Sequence, residues 1–240
     1  MKTIGIVAHS AEGGALCFIT ACREGQAVLG AHMHPPVVLS AVPLGLSLPA
    51  WESDDHEAVA GHLRRGVEQV ARAGADFYIC PDNTAHIVLE QIAMTLPIPG
   101  LHIADGVCGA MRMGGWKAAA LLGTRWTMTG PVYAGALKRS GFTQLVPAAQ
   151  RMEQINRAIL DELCLGRFEA PTTALFVDTI ADLARQGADC AILGCTEIPL
   201  IITNDNSPLP VLDSTRLLAR HAVLRALEDG ALVAEGGWLR

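Results

Sequence analysis

Residues 72–79 read RAGADFYI, and residues 185–192 read RQGADCAI. Five of these eight positions coincide: an Arg, the run Gly-Ala-Asp, and a closing Ile. In each copy a helical pattern carries an Arg in its last turn and is followed by Gly74 or Gly187. A glycine takes the left-handed conformation that ends a helix, and a cation suits the negative end of the helix dipole. The apolar residues after Gly-Ala-Asp then read as a strand. A helix–stop–strand unit used twice constrains the chain to two related halves, each with a strand end of its own. In register, Cys80-Pro81-Asp82-Asn83-Thr84 stands against Leu193-Gly194-Cys195-Thr196-Glu197, so Asp82 falls opposite Cys195.

The remainder of the chain fits that frame. Short apolar runs at 3–8, 37–42, 77–80, 98–103, 118–122, 190–193 and 209–212 read as strands covered on both faces. Helical patterns lie between them at 56–73, 83–95, 106–114, 132–140, 148–164, 172–186 and 214–229. The alternation predicts a parallel α/β architecture. Further correspondences support duplication: Ile98-Pro99-Gly100-Leu101 resembles Leu209-Pro210-Val211-Leu212, and Ile4–Ala8 aligns with Ala119–Gly123. We expect two pseudo-symmetric flavodoxin-like domains with parallel sheets, residues 1–97 with about 211–240 and residues 98–210. Ligands of such sheets bind beyond the carboxyl ends of the strands, where Asp82 and Cys195 fall.

Composition excludes several function classes. Half of the residues are hydrophobic and 18% are charged, which suits a packed core. A net charge of −6 argues against a nucleic-acid surface. No apolar stretch reaches membrane-spanning length, since Pro43, Gly45 and Pro49 break the longest one. The seven cysteines have no CxxC pair, so free thiols in a reducing cytoplasm are expected. The eight histidines show no metal-ligand spacing, and no metal is expected. Neither Gly123–Gly130 nor His9–Gly14 carries a nucleotide fingerprint. The Gly-rich tail after Asp229, with Trp238, reads as an interface element or a frayed end.

The candidate site residues each admit two readings. Cys195 is a reactive thiol at a strand end or a buried packing residue. A helix starting after it would lower its pKa. Asp82 is a proton-transfer group or a helix cap. Asn83, Thr84 and Thr196 offer donors for a small anion, and Thr124 and Thr127 offer hydroxyls at a third helix start.

Taken together, IGIVAHSAEGG, PDNTAH, LHIAD, GTRWTMTGPVY and LGCTEIPLII are similar, in order, to the aspartate/glutamate racemase superfamily. The resemblance implies a site in the cleft between two domains, no cofactor, and often a homodimer. It implies proton transfer at the α-carbon of an amino acid, with Cys195 on one face and the group at Asp82 on the other. Asn83, Thr84 and Thr196 would hold the α-carboxylate or amine, and Thr124, Thr127 and Ser10 would contact the substrate. The family usually has Cys where this chain has Asp82. A carboxylate there would be a poor acid unless burial raised its pKa.

No Lys or Arg occurs between Arg23 and Arg64, and the stretch VPLGLSLPAW is apolar. Arg167 is the one basic candidate for a distal carboxylate, and a substrate with a neutral or apolar side chain stands open beside an acidic one. A one-thiol decarboxylase or isomerase acting on a small carboxylic acid, and a small-anion binding protein without turnover, are the alternative readings.

Overall fold

The computed structural model of the chain describes residues 1–227 and 238–239. The expected end of the last helix at Asp229, and most of the Gly-rich tail, lie outside the described residues. The chain divides into two compact units, Met1–Asp105 with Thr215–Arg240, and Gly106–Ser214. It passes from one to the other within α5 (Ile103–Gly114) and returns within α10 (Ser214–Leu227).

The first unit holds β1 (Ile4–Ala8), β2 (Val37–Ala41), β3 (Phe77–Ile79) and β4 (Gly100–Leu101), parallel and in the order β2-β1-β3-β4. A short β9 (Trp238–Leu239) adds to β4 in antiparallel sense. The second unit holds β5 (Ala118–Gly123), β6 (Thr143–Leu145), β7 (Cys190–Gly194) and β8 (Val211–Asp213), all parallel, in the order β6-β5-β7-β8. The two orders are the same once the second is renumbered. The run 98–103, expected to open the second domain, belongs to the first unit because β4 pairs with Tyr78 and Ile79.

The helices of the first unit are α1 (Ala11–Leu29), α2 (Leu48–Glu52), α3 (His56–Arg72) and α4 (His86–Ile92). Those of the second are α6 (Arg125–Thr129), α7 (Pro131–Arg139), α8 (Ala149–Asp161) and α9 (Ala170–Arg185). Each unit buries its own core. Ile4, Ile6, Phe77 and Ile79 sit with Leu63 and Val67 in one, and Leu121, Ile192 and Leu212 with Phe176 and Ile180 in the other. Among the described residues no helix is long and apolar enough to cross a membrane.

The repeat has a structural explanation at the level of single hydrogen bonds. Gly74 (φ 94°) and Gly187 (φ 106°) are both left-handed, as the helix-stop reading requires. In the first copy the N–H of Gly74 reaches Ala71 O and that of Ala75 reaches Val70 O. In the second, Gly187 reaches Ala184 O and Ala188 reaches Leu183 O. Both are Schellman closures, which satisfy the last carbonyls of α3 and α9.

The shared Asp then clamps the neighbouring strand. Asp76 Oδ2 accepts from Thr3 N at 2.6 Å, while Asp189 accepts from Lys117 N and Ala118 N at 2.7 and 3.1 Å. The proline pair matches too: Tyr78 N donates to Pro99 O and Ala191 N to Pro210 O, each at 2.9 Å.

Among the elements that were not legible as such are α1 and β6. The α1 sequence carries Gly13, Gly14 and Gly25, which weaken a helical pattern. Tertiary approach explains two of them: a Cβ on Gly14 would meet Ala8 Cβ at 2.9 Å, and one on Gly25 would meet His34 Cβ at 2.6 Å. Strand β6 is a three-residue edge strand of sequence TQL, too short and polar to register.

Candidate active site

The site residues of the first unit gather at the carboxyl ends of β1 and β3. His9 follows β1 and Asp82 follows β3. His9 Nδ1 lies 2.7 Å from Asp82 Oδ2, with the imidazole almost fully buried. The other carboxylate oxygen, Oδ1, accepts the Ala85 N–H at 3.2 Å. Asp82 therefore closes the turn ahead of α4 and partners an imidazole at once, one oxygen for each.

Burial pushes the Asp82 carboxyl upward, but the hydrogen bond and charge of His9, the Ala85 N–H and His86 more than offset it. The group is held below its ordinary carboxylate value. Burial therefore does not raise Asp82 into a useful acid; it is an ionised acceptor. Cys80, two residues earlier, is fully buried, and burial and the Asp82 charge push its thiol up.

The Asn-Thr-Ala-His run is fastened from below. His86 Nε2 donates to Cys80 O at 2.9 Å, and its ring meets that of His102 edge-on at 4.9 Å. Burial, with the nearby His102, pushes His86 down to about 3, so it stands neutral. His102 in turn donates to Glu90 Oε1 at 2.6 Å and accepts from Ala104 N. Asn83 and Thr84 are buried on this turn, with Asn83 Nδ2 directed to Pro81 O at 3.5 Å. Ser10 caps α1 by accepting from Gly13 N at 3.2 Å.

In the second unit, Cys195 follows β7 and Thr124 follows β5. The strand ends approach closely here, since a Cβ on Gly123 would lie 2.6 Å from Gly194 O. Cys195 Sγ donates to Glu197 Oε2 at 2.9 Å, and Thr196 Oγ1 donates to the same oxygen at 2.7 Å. Glu197 is almost completely buried, and its Oε1 has no hydrogen-bond partner.

The Cys195 thiol is held well above its ordinary value, first by Cys164 beside it, then by burial and by the Glu197 charge. The condition for dipole activation is not met: a turn and a three-residue 3₁₀ segment (Ile198–Leu200), rather than an α-helix, follow Cys195. Thr124 caps α6, accepting from Thr127 N and donating to Thr127 Oγ1, both at 3.2 Å. Arg167 is exposed, and its guanidinium donates to Asp161 O.

Sequence reasoning missed His9 and Glu197. Strand register holds the signal for the first. Ile4 pairs with Phe77 and Ala119 with Cys190, and Phe77 and Cys190 are equivalent in the repeat. His9 is then the counterpart of Thr124, so each unit places one polar residue after its first strand and one after its third.

The sequence profile of the Asp/Glu/Hydantoin racemases matches residues 16–222. The chain belongs to that family. The broad specificity amino-acid racemase RacX of Bacillus subtilis is 28% identical over 169 residues, covering 70% of this chain and 73% of RacX. A Yersinia pestis structure provisionally named an Asp/Glu racemase superposes with a TM-score of 0.83 at 29% identity, covering 95% of this chain and all of the other. An aspartate racemase homologue from Pyrococcus horikoshii OT3 gives 0.78 at 26% identity, with the same coverage.

Proposed function

We propose that the chain is a cofactor-independent amino-acid racemase or epimerase that moves a proton at the α-carbon, with one proton-transfer centre from each unit. The observation that carries the reading is the matched placement of Asp82 and Cys195 after equivalent strands, each hydrogen-bonded to a second buried side chain. Family membership and the racemase names of the relatives support it.

Cys195 is protonated, because a thiolate would sit beside the Glu197 carboxylate. It gives its proton to the planar, carbanion-like intermediate. The Asp82 centre, which is anionic, receives the proton from the opposite face. The intermediate's charge rests on the α-carboxylate, for which Asn83, Thr84, Thr196, Thr124 and Thr127 are the proposed donors. The reverse reaction exchanges the roles.

The substrate side chain is neutral or apolar. The Leu44 N–H donates to His9 O at 3.0 Å, which sets the apolar stretch Pro43–Leu46 beside the Asp82 centre, with Leu46 half exposed. Arg167, turned to Asp161 O, is no obvious clamp for a distal carboxylate.

The test is α-hydrogen exchange in D₂O, followed by NMR, over a panel of L- and D-amino acids. The expected result is exchange of both enantiomers, strongest for aliphatic substrates. Absence of exchange across the panel at high enzyme concentration refutes the proposal.

A further inference from the structure

We infer that the atom exchanging the α-proton on the first unit is Nε2 of His9, and that Asp82 is its positioning residue. The inference rests on the racemase reading and specifies it.

Four observations lead there. The Asp82 carboxylate has both oxygens engaged, Oδ1 by the Ala85 N–H at 3.2 Å and Oδ2 by His9 Nδ1 at 2.7 Å. An ionised carboxylate only accepts, so Nδ1 must carry the proton of that bond. When His9 is neutral its remaining nitrogen, Nε2, then bears the lone pair, and the tautomer is set by Asp82. Finally, Nε2 is buried and has no hydrogen-bond partner among the described residues, in a residue that is 6% exposed.

A buried polar atom left unpaired costs about 1–3 kcal/mol. Such an atom on an oriented imidazole, at the carboxyl end of β1 where open sheets take their ligands, is a group whose partner arrives with the substrate. A carboxylate that supports an imidazole through Nδ1 and stabilises its cation is the general arrangement for an imidazole acid/base.

The step balances without further reagents. Nε2 takes the α-hydrogen as a proton, and the electron pair of the C–H bond passes into the α-carboxylate system. The Cys195 S–H bond breaks toward the opposite face, its proton forming the new C–H bond and its electrons remaining on sulfur. The enzyme is left as imidazolium and thiolate, and is reset by the reverse reaction or by proton exchange with water. Asp82 stays ionised throughout and faces an imidazolium in one of the two states, which favours proton acceptance by Nε2.

The experiment compares His9→Gln, Asp82→Asn and Cys195→Ser with the wild type by α-hydrogen exchange in D₂O, each enantiomer separately. Expected for His9→Gln is loss of exchange for one enantiomer by about 100-fold or more, with the other retained. Cys195→Ser should lose the opposite enantiomer. Asp82→Asn should weaken the same enantiomer as His9→Gln, but less severely, as befits a residue acting through another.

If His9→Gln exchanges both enantiomers like the wild type while Asp82→Asn loses one, the carboxylate itself transfers the proton. The His9 assignment then falls while the racemase reading stands. A wild type that exchanges nothing overturns both. A measurement on the wild type covers the case of a variant that does not fold: the ¹⁵N shifts of His9 should show protonated Nδ1 and bare Nε2, moving on addition of a slow substrate. A proton on Nε2 of the neutral ring overturns the inference.

Discussion

Replacing His86 with glutamine should flatten the acid limb of the stability profile. His86 is fully buried, donates Nε2–H to Cys80 O, and has its Nδ1 without a partner. Burial first, and His102 second, push it down to about 3 from an unfolded value of 6.5. Between those values the unfolded chain binds a proton that the folded chain refuses, so stability rises with pH and is lost as pH falls. The slope from this one group approaches about 1.4 kcal/mol per pH unit, or about 2.5 kcal/mol between pH 6 and pH 4.

Asp82 does not contribute in that window. Its depressed carboxyl stabilises the fold above the unfolded value near 4 and loses that contribution only as pH falls through its lower folded value. The assay is urea unfolding followed by circular dichroism at half-unit steps from pH 7 to 4. His86→Gln starts lower at pH 7, because packing is disturbed, but should fall less steeply, the two curves converging by about 3 kcal/mol between pH 7 and pH 4. Parallel curves would refute the reasoning and place the acid sensitivity elsewhere.

The repeated aspartates should behave as independent clamps. Asp189→Ala removes two backbone acceptor bonds and should cost about 2 kcal/mol, Asp76→Ala one exposed bond and about 1 kcal/mol, with the double variant close to the sum by chemical denaturation. The Cys195 thiol should alkylate slowly with iodoacetamide at neutral pH. Cys164→Ala and Glu197→Gln should each speed it several-fold by removing what raises its pKa, as read by peptide mapping. Unchanged rates in both variants would remove the structural basis for calling Cys195 the resting acid.

What the sequence made legible was whatever depends on local pattern. Gly74 and Gly187 mark their helix ends, the Ala-Asp that follows leads into a strand, and the proline-bearing strands match, all from residues adjacent in the chain. The pairing of Asp82 with Cys195 by register was also readable. Their electrostatic states were not, because these are set by residues brought in by the fold. His9 lies 73 positions from Asp82, and Cys164 reaches Cys195 from the end of another helix. Neither state could be read from the residue and its immediate neighbours alone. Glu197 was closer at hand, two residues from Cys195, but only its burial shows that the carboxylate turns back onto the thiol.

The division of labour between the two oxygens of Asp82 restricts how this centre could be re-engineered. Exchanging Asp82 for the cysteine that the family resemblance leads one to expect there would not simply restore a symmetric pair of thiols. It would withdraw the acceptor of the Ala85 N–H and strand a buried imidazole, because sulfur is a weak acceptor for both. A path to a two-thiol enzyme has to change His9 in the same step or before it. A library aimed at a two-thiol centre should therefore vary positions 9 and 82 together.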